Sequence, residues 1–132
     1  NLPKQIICKQ NMDIKKYYEK SRIVIICYDS TRILETFSQN IPTIILFDEY
    51  MLRQVKAEYK EFYNELYEAG LLYTDIKKIH RFLEKNYKTL EEWWKDDHIQ
   101  SVRQKFSNRF SRAKKNPIKY LSNLLIKESI KI

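Results

Sequence analysis

The stretch from Arg22 to Phe47 constrains this chain more than any other. Two runs of consecutive apolar residues, Ile23 to Cys27 and Thr43 to Phe47, enclose a polar turn, Tyr28-Asp29-Ser30-Thr31, and a helical pattern from Ser30 to Gln39. Neither run alternates with polar residues, which suits strands covered on both faces, as in a parallel sheet between helices. Strand, helix and strand in this order form a right-handed crossover, because a right-twisted strand feeding a right-handed helix packs back onto its sheet only that way. Ligands of such sheets bind beyond the carboxyl ends of the strands, where Tyr28 to Thr31 would lie.

The remaining segments can be placed around this unit. Gln5 to Lys9 reads as a strand, and Met12 to Lys20 as a helix capped by Asn11 or Asp13. Leu52, Val55, Tyr59, Phe62 and Leu66 recur at spacings of three and four, which predicts one long amphipathic helix from about Leu52 to Ala69. Gly70, the only glycine, stands where a left-handed cap would end that helix, and Leu71 to Tyr73 reads as a short strand. Asp75 caps a helix to about Asn86, with Ile76, Ile79, His80 and Leu83 turned inward. Thr89-Leu90-Glu91-Glu92 has the form of a capping box opening a short helix through Trp93-Trp94. Helices from Asp97 to Lys114 and from Pro117 to Lys127 follow, with Pro117 at a first-turn position. The alternation predicts an α/β fold: a partial Rossmann-like parallel sheet of three to four strands flanked by helices, with a helical C-terminal extension. So narrow a sheet predicts missing neighbours upstream of Asn1. The boundary falls at 96/97, with a sheet domain before it and a basic helical extension packed on that domain after it.

At 132 residues the chain suffices for one domain or a piece of one. It lacks an initiator Met, a basic-then-apolar leader and any apolar run near about twenty residues, so neither a secretory precursor nor a membrane span is expected. It reads as the C-terminal part of a longer soluble protein. Cys8 and Cys27 fall in or beside expected strands without C-x-x-C spacing, which predicts free buried thiols in the cytoplasm. Charge is unevenly placed: of 25 Lys+Arg and 17 Asp+Glu, residues 98–132 hold nine of the bases and only Glu128 of the acids. A Lys-rich solvated face outweighs a dedicated phosphate, lipid or nucleic-acid surface there, because no run of five like charges occurs.

Several chemistries are excluded by composition. One glycine permits neither a G-x-G-x-x-G loop nor a P-loop. His80 and His98 lack metal-ligand or triad spacing, so no metal and no cofactor is expected. The adjacent acids Asp48-Glu49, Glu91-Glu92 and Asp96-Asp97 read as solvent-facing residues before acid/base pairs.

The turn remains. A helix N-terminus leaves N–H groups unpaired and carries partial positive charge, so it holds anions, and Ser30 and Thr31 add hydroxyl donors there. Thr31, Glu35 and Ser38 form one polar stripe of the helix, opposite Ile33, Leu34, Phe37 and Ile41. Glu35, one turn from a bound phosphate, could accept hydrogen bonds from ribose or sugar hydroxyls. On the residues alone the plainer alternative stands slightly ahead, because Ser, Thr and Asp commonly precede helices: Asp29 or Ser30 as an N-cap worth about 1 kcal/mol, and Glu35 as an exposed helix residue.

Ser21-Arg22-Ile23-Val24-Ile25, Tyr28-Asp29-Ser30-Thr31, Leu34-Glu35 and Asn40-Ile41-Pro42-Thr43-Ile44 resemble the donor-binding segment in the C-terminal domain of GT-B fold glycosyltransferases. The likeness is closest to bacterial surface-carbohydrate transferases reading S-R-hydrophobic, Y-N-S-T, L-E and N-I-P-T in this order; Asp29 stands where they have Asn. Tyr63 to Leu72, Glu92-Trp93-Trp94 and Phe106 to Arg112 continue the match. The resemblance implies a nucleotide-activated sugar donor held through its phosphate by Ser30 and Thr31 and through ribose or sugar hydroxyls by Glu35. Tyr28, Asp29 and Pro42 would line the pocket. It implies metal-free glycosyl transfer in a cleft shared with an upstream domain that holds a carbohydrate or lipid-linked acceptor, so that residues 1–132 alone would not turn over. It also allows peripheral contact of the basic tail with the inner face of a membrane. The competing expectation is a non-catalytic α/β binding module whose basic C-terminal helices contact nucleic acid or anionic membrane; a nucleic-acid binder requires Arg103, Arg109, Arg112, Lys114, Lys115 and Lys119 on one continuous face.

Overall fold

A computed structural model describes residues 13–111 and 117–129. The strand expected at Gln5 to Lys9, with Cys8, lies outside the described residues. In order the elements are α1 (Ile14–Lys20), β1 (Val24–Ile26), α2 (Thr31–Ser38), β2 (Thr43–Leu46), α3 (Glu49–Gln54), α4 (Lys60–Glu68), β3 (Leu72–Tyr73), α5 (Ile76–Asn86), α6 (Leu90–Lys95), α7 (Asp97–Phe110) and α8 (Pro117–Ser129). Short 3₁₀ turns at Ala57–Tyr59 and Tyr87–Thr89 lead into α4 and α6. The expected α/β class holds: β1, β2 and β3 form a three-stranded parallel sheet in that order, with Ile26 opposite Ile45 and Ile45 opposite Leu72.

The two apolar runs of the central unit have different fates. β2 is the middle strand, and Ile44 and Ile45, on opposite faces of the pleat, are both fully buried. β1 is an edge of the sheet among the described residues; Ile26 points into the core while Ile25 is 37% exposed and Cys27 is exposed. Consecutive apolar residues therefore mark a doubly covered strand only at β2, and the expectation of a buried Cys27 is corrected. An apolar run reports tolerance of burial, whereas cover depends on which neighbours a strand acquires.

The expected long helix from Leu52 to Ala69 is also corrected. Its chain forms α3, a bend at Val55-Lys56 in extended geometry, a 3₁₀ turn and then α4. Length accounts for the break. Four residues of β2 span about 13 Å, and the nine residues of α4 rise about 13.5 Å. An unbroken eighteen-residue helix would reach about 27 Å and overshoot the sheet it must cross. Asp48 starts the separate α3, its side chain accepting from Met51 N at 2.7 Å. Gly70 ends the α4 segment at φ +74°, as expected, with Leu71 N bonded to Leu66 O at 2.9 Å.

Two smaller expectations fail for local reasons. His80 faces solvent beside Glu84 at 3.5 Å, and Ile76 is exposed, because α5 turns the side bearing Ile79 to the core. Thr89 caps nothing: the 3₁₀ turn runs straight into α6 and occupies that terminus, so its hydroxyl contacts Asn86 O instead. By contrast, Asp13, Asp48, Asp75 and Asp96 all accept hydrogen bonds from first-turn amides of their helices.

The core lies chiefly between the sheet and α2, α4 and α7. Ile33 and Phe37 of α2 meet Leu66 of α4, Trp94 of α6, and Ile99, Val102 and Phe106 of α7. Phe37 is fully buried, with its ring 5.7 Å from Phe106 edge-on and 6.3 Å from Trp94; burial of a side chain of this kind is worth about 1.5–3 kcal/mol. The segment after residue 96 thus contributes to this core through α7.

The C-terminus of α2 is closed by a Schellman arrangement. Ile41 N bonds to Thr36 O at 2.9 Å, Asn40 N to Phe37 O at 3.1 Å, and Asn40 sits in the left-handed region at φ 57°. Trp94 Nε1 donates to both the carbonyl (3.1 Å) and the side-chain Oδ1 (3.0 Å) of Asn40. Asn is thus favoured twice, tolerating the backbone and supplying an acceptor. Replacing Asn40 by Leu is expected to cost about 1–2 kcal/mol, and replacing it by Gly less than half of that, since Gly keeps the conformation and the carbonyl acceptor. Urea midpoints of the two variants measure the difference.

Candidate functional site

Three adjoining cavities open at the carboxyl ends of the strands, and Tyr63 lines all of them. The first, of about 340 Å³, lies over the start of α2 and is walled by Asp29, Ser30, Thr31, Leu34, Phe106 and Phe110. The second, of about 420 Å³, carries Arg53 and Lys60 beside Tyr67 and Thr74. The third, of about 400 Å³, shares Asp29 and Phe110 with the first and adds Tyr50, Met51, Lys56 and Tyr59.

The polar edge of the first cavity comes from the turn after β1. Ser30 is the N-cap residue of α2 in extended geometry (φ −156°, ψ 159°), yet its side chain caps no amide. Its Oγ is buried and has no hydrogen-bond partner, while its carbonyl accepts from Ile33 N at 3.2 Å. The four helices begun by Asp have side-chain caps, and α4 and α6 continue from 3₁₀ turns. Among helices whose N-cap is described, α2 alone starts from extended chain with its first amides uncapped. Free amides, a helix dipole and a hydroxyl without partner together favour an acceptor-rich, anionic group.

The opposite wall is aromatic. Phe106 and Phe110 lie one turn apart on α7, with ring centroids at 4.6 Å, and Tyr63 packs edge-on to Phe106 at 5.4 Å and nearly parallel to Phe47 at 6.2 Å. Burial pushes the Tyr63 hydroxyl above its ordinary value of 10, and the Asp29 carboxylate adds to the rise. Tyr63 therefore stays a neutral donor or acceptor across the physiological range. Such a wall offers stacking area, and the turn offers hydrogen bonds; together they can hold a ligand with one flat or apolar part and one anionic part.

The residues singled out in the sequence are partly gathered here. Asp29, Ser30 and Thr31 line the first cavity. Tyr28 stands about half exposed with the Arg32 guanidinium 6.0 Å from its ring centroid. Glu35 is exposed, as its place on the polar stripe requires, and lies outside all three linings; its charge is felt by Tyr18, which is raised mainly by burial, with Arg32 opposing and Glu35 assisting. Pro42, expected in the lining, stands just before β2 with its carbonyl accepting from Val24 N at 2.8 Å. In a parallel sheet that is the amino end, away from the turn after β1, so it lines none of these cavities.

Tyr63, Phe106 and Phe110 line the first cavity beyond the residues expected from the sequence. Their signal was present in the matched segments around Tyr63 and from Phe106 to Arg112, but helical spacing alone makes such aromatics look like core. The basic tail is likewise rearranged. Arg103 is buried, bonded to Phe37 O; Lys105 bonds Glu65 and lies 3.7 Å from Glu61; Arg109 lies 5.1 Å over Tyr59. Arg103 is thus withdrawn from the continuous cationic face that a nucleic-acid module would need, and Arg112, Lys114 and Lys115 lie outside the described residues. No helix among the described residues is long and apolar enough to cross a membrane, and none of their His, Cys, Asp and Glu side chains form a group of three that could hold a metal ion.

The raised Tyr63 has a measurable consequence. Its proton is held more tightly in the fold than in the unfolded chain, so its stabilisation is complete below pH 10 and is lost as pH rises through the elevated value. Melting temperatures between about pH 8 and 11 should fall more gently for Tyr63→Phe than for the wild type. Tyr18 and Tyr73 are shifted in the same direction, so the slope shrinks without vanishing.

No curated protein and no solved structure matches this chain. Residues 1–125 match the sequence model of the LIC12162 family of transferases. A match over nearly all of the chain, joined to a parallel α/β sheet with an uncapped helix terminus at its carboxyl edge, places the protein in a group-transferring lineage: it belongs to the LIC12162 family of transferases.

Proposed function

We propose that the chain is the donor-binding part of a GT-B-type glycosyltransferase, and that the first cavity receives the phosphate of a nucleotide-activated sugar used in surface-carbohydrate synthesis. The single observation that carries this reading is the Ser30 hydroxyl, buried at the cavity edge without a partner while the amides behind it go uncapped. A buried unpaired hydroxyl is destabilising, and a phosphate oxygen is the group that would satisfy it together with the Thr31 hydroxyl and the first-turn amides.

In this reading the α2 dipole and the Ser30 and Thr31 donors stabilise negative charge as it develops on the departing nucleoside phosphate, so no metal is required at that point. The aromatic wall of Tyr63, Phe106 and Phe110 supports the flat or apolar part of the donor. Glu35 reaches ribose or sugar hydroxyls only from outside the cavity rim, at the exposed side of α2. Asp29 sets a limit on the donor: its carboxylate lines both the first and the third cavity and opposes a second phosphate in either. The acceptor and the general base belong to an upstream domain, and the surface polymer is assembled at the inner face of the membrane.

A plain N-cap and an anion seat respond differently to Ser30→Ala. Loss of a cap costs about 1 kcal/mol, whereas removal of a buried hydroxyl without partner relieves its desolvation penalty and leaves ligand-free stability unchanged or raised by about 1 kcal/mol. The expected result on the full-length protein is an unchanged or raised melting temperature without ligand and an apparent affinity for UDP, GDP, CDP or CMP derivatives that drops about ten-fold in the variant. Glu35→Ala should weaken nucleotide-sugars more than the bare nucleotides. A destabilised Ser30→Ala protein with intact nucleotide binding would refute the assignment.

A further inference from the structure

A fourth cavity, of about 310 Å³, opens at the other end of α2, where its C-terminus meets the last turns of α7. The eight residues of α2 put it about 12 Å from the turn that bears Ser30. Its wall contains no aromatic ring and no carboxylate: Ser38, Asn40, Arg103, Gln104, Ser107 and Asn108 all present hydroxyl, amide or guanidinium groups. Ser107 is only 8% exposed, and its Oγ has no hydrogen-bond partner. A helical serine ordinarily bonds back to the preceding turn, so a free buried hydroxyl on this wall is a donor and acceptor held in reserve.

Arg103 is similarly incomplete. Its Nη1 donates to Phe37 O, and its Nε and Nη2 donate to Gln100 Oε1 at 3.2 and 3.0 Å, which uses three of five guanidinium N–H groups. Asn40 has its Oδ1 engaged by Trp94, which fixes the amide and leaves its NH₂ group as the available end. The cavity therefore combines fixed donors with a hydroxyl of either sense.

Charge selects the ligand. The C-termini of α2 and α7 both end beside this cavity and bring partial negative charge, which opposes an anion. The buried guanidinium opposes a cation. A neutral molecule rich in hydroxyls satisfies both, because each hydroxyl can donate to a carbonyl or accept from Arg103 and Asn40. We infer that this cleft between the C-terminal ends of α2 and α7 is a binding site for a neutral carbohydrate unit of about one hexose. The site stands apart from the donor cavity and does not depend on its reading. With no ring to stack on, affinity rests on hydrogen bonds alone and falls in the range of about 1–10 mM.

The test is a ¹⁵N-resolved titration of the protein with methyl glucoside, methyl galactoside and methyl N-acetylglucosaminide, each up to about 100 mM, with inorganic phosphate as a parallel arm. Binding should shift the amides of residues 38–40 and 104–111 for at least one glycoside. Ser107→Ala and Asn108→Ala should each weaken that glycoside about five-fold with the spectrum otherwise preserved, since Ala suits a helix at both positions. The inference is overturned if no glycoside moves these amides, if phosphate moves them at lower concentration than any glycoside, or if both variants bind as the wild type does.

Discussion

A positive charge inside the protein, without an acidic partner among the described residues, ties the helices of this fold together. Arg103 is 7% exposed and meets the carbonyl of Phe37 in the last turn of α2, with Gln100 gripping its other edge. Burial pulls the guanidinium below its ordinary pKa, but from so high a value that it stays charged. The negative end of the α2 dipole and a charge-assisted hydrogen bond offset its desolvation. Gln100 in turn donates to Trp94 O at 2.6 Å, and Trp94 donates to Asn40, so one network ties α7, α6 and the end of α2 together. Hydrophobic packing of Phe37 against Phe106 would permit α2 to slide; directed bonds to its final carbonyls do not.

Fixing one end of a short helix aims the other. With eight residues, α2 is too short to be stable by itself, and its position is decided by the core and by this clamp. The N-terminus then needs no side-chain cap to hold it. That releases Ser30, which sits where Asp serves in four other helices, from structural duty and leaves the first amides free. Directed bonds are thus concentrated at the carbonyl end of α2, while its amide end lacks a side-chain cap.

What could be read in the sequence was local. The β1-α2-β2 unit, the buried face of α2 through Ile33 and Phe37, the caps at Asp13 and Asp75 and the left-handed Gly70 all follow from neighbours a few residues apart. The failures are non-local. The break between α3 and α4 follows from the width of a sheet that the helix crosses, and the exposure of Ile25 and Cys27 goes with the place of β1 at the edge of the sheet among the described residues; neither is encoded in their own surroundings. Asp29, Ser30 and Thr31 were recognisable because chemistry and position coincide at a strand end. Their aromatic counterparts, Tyr63 and Phe110, were not, because the cavity between them exists only once α4 and α7 are side by side. Pro42 belonged to the same recognisable motif yet lies at the opposite edge of the sheet, which shows that adjacency in a motif is no guide to adjacency in space.

The charge of the chain also needs reinterpreting by place. Counted as residues, α7 belongs to a basic tail; as side chains, its Arg103 is a buried strut, its Lys105 is paired to α4 and its Arg109 lies over Tyr59. The same helix gives Phe106 and Phe110 to the first cavity and Ser107 and Asn108 to the fourth, because residues one apart on a helix point about 100° away from each other. A rotation of α7 that disturbed the clamp would therefore change both cavities in the same movement. A ligand at one of these cavities would alter affinity at the other only where both ligands prefer the same or opposite settings of α7, and by no more than their differential affinities allow.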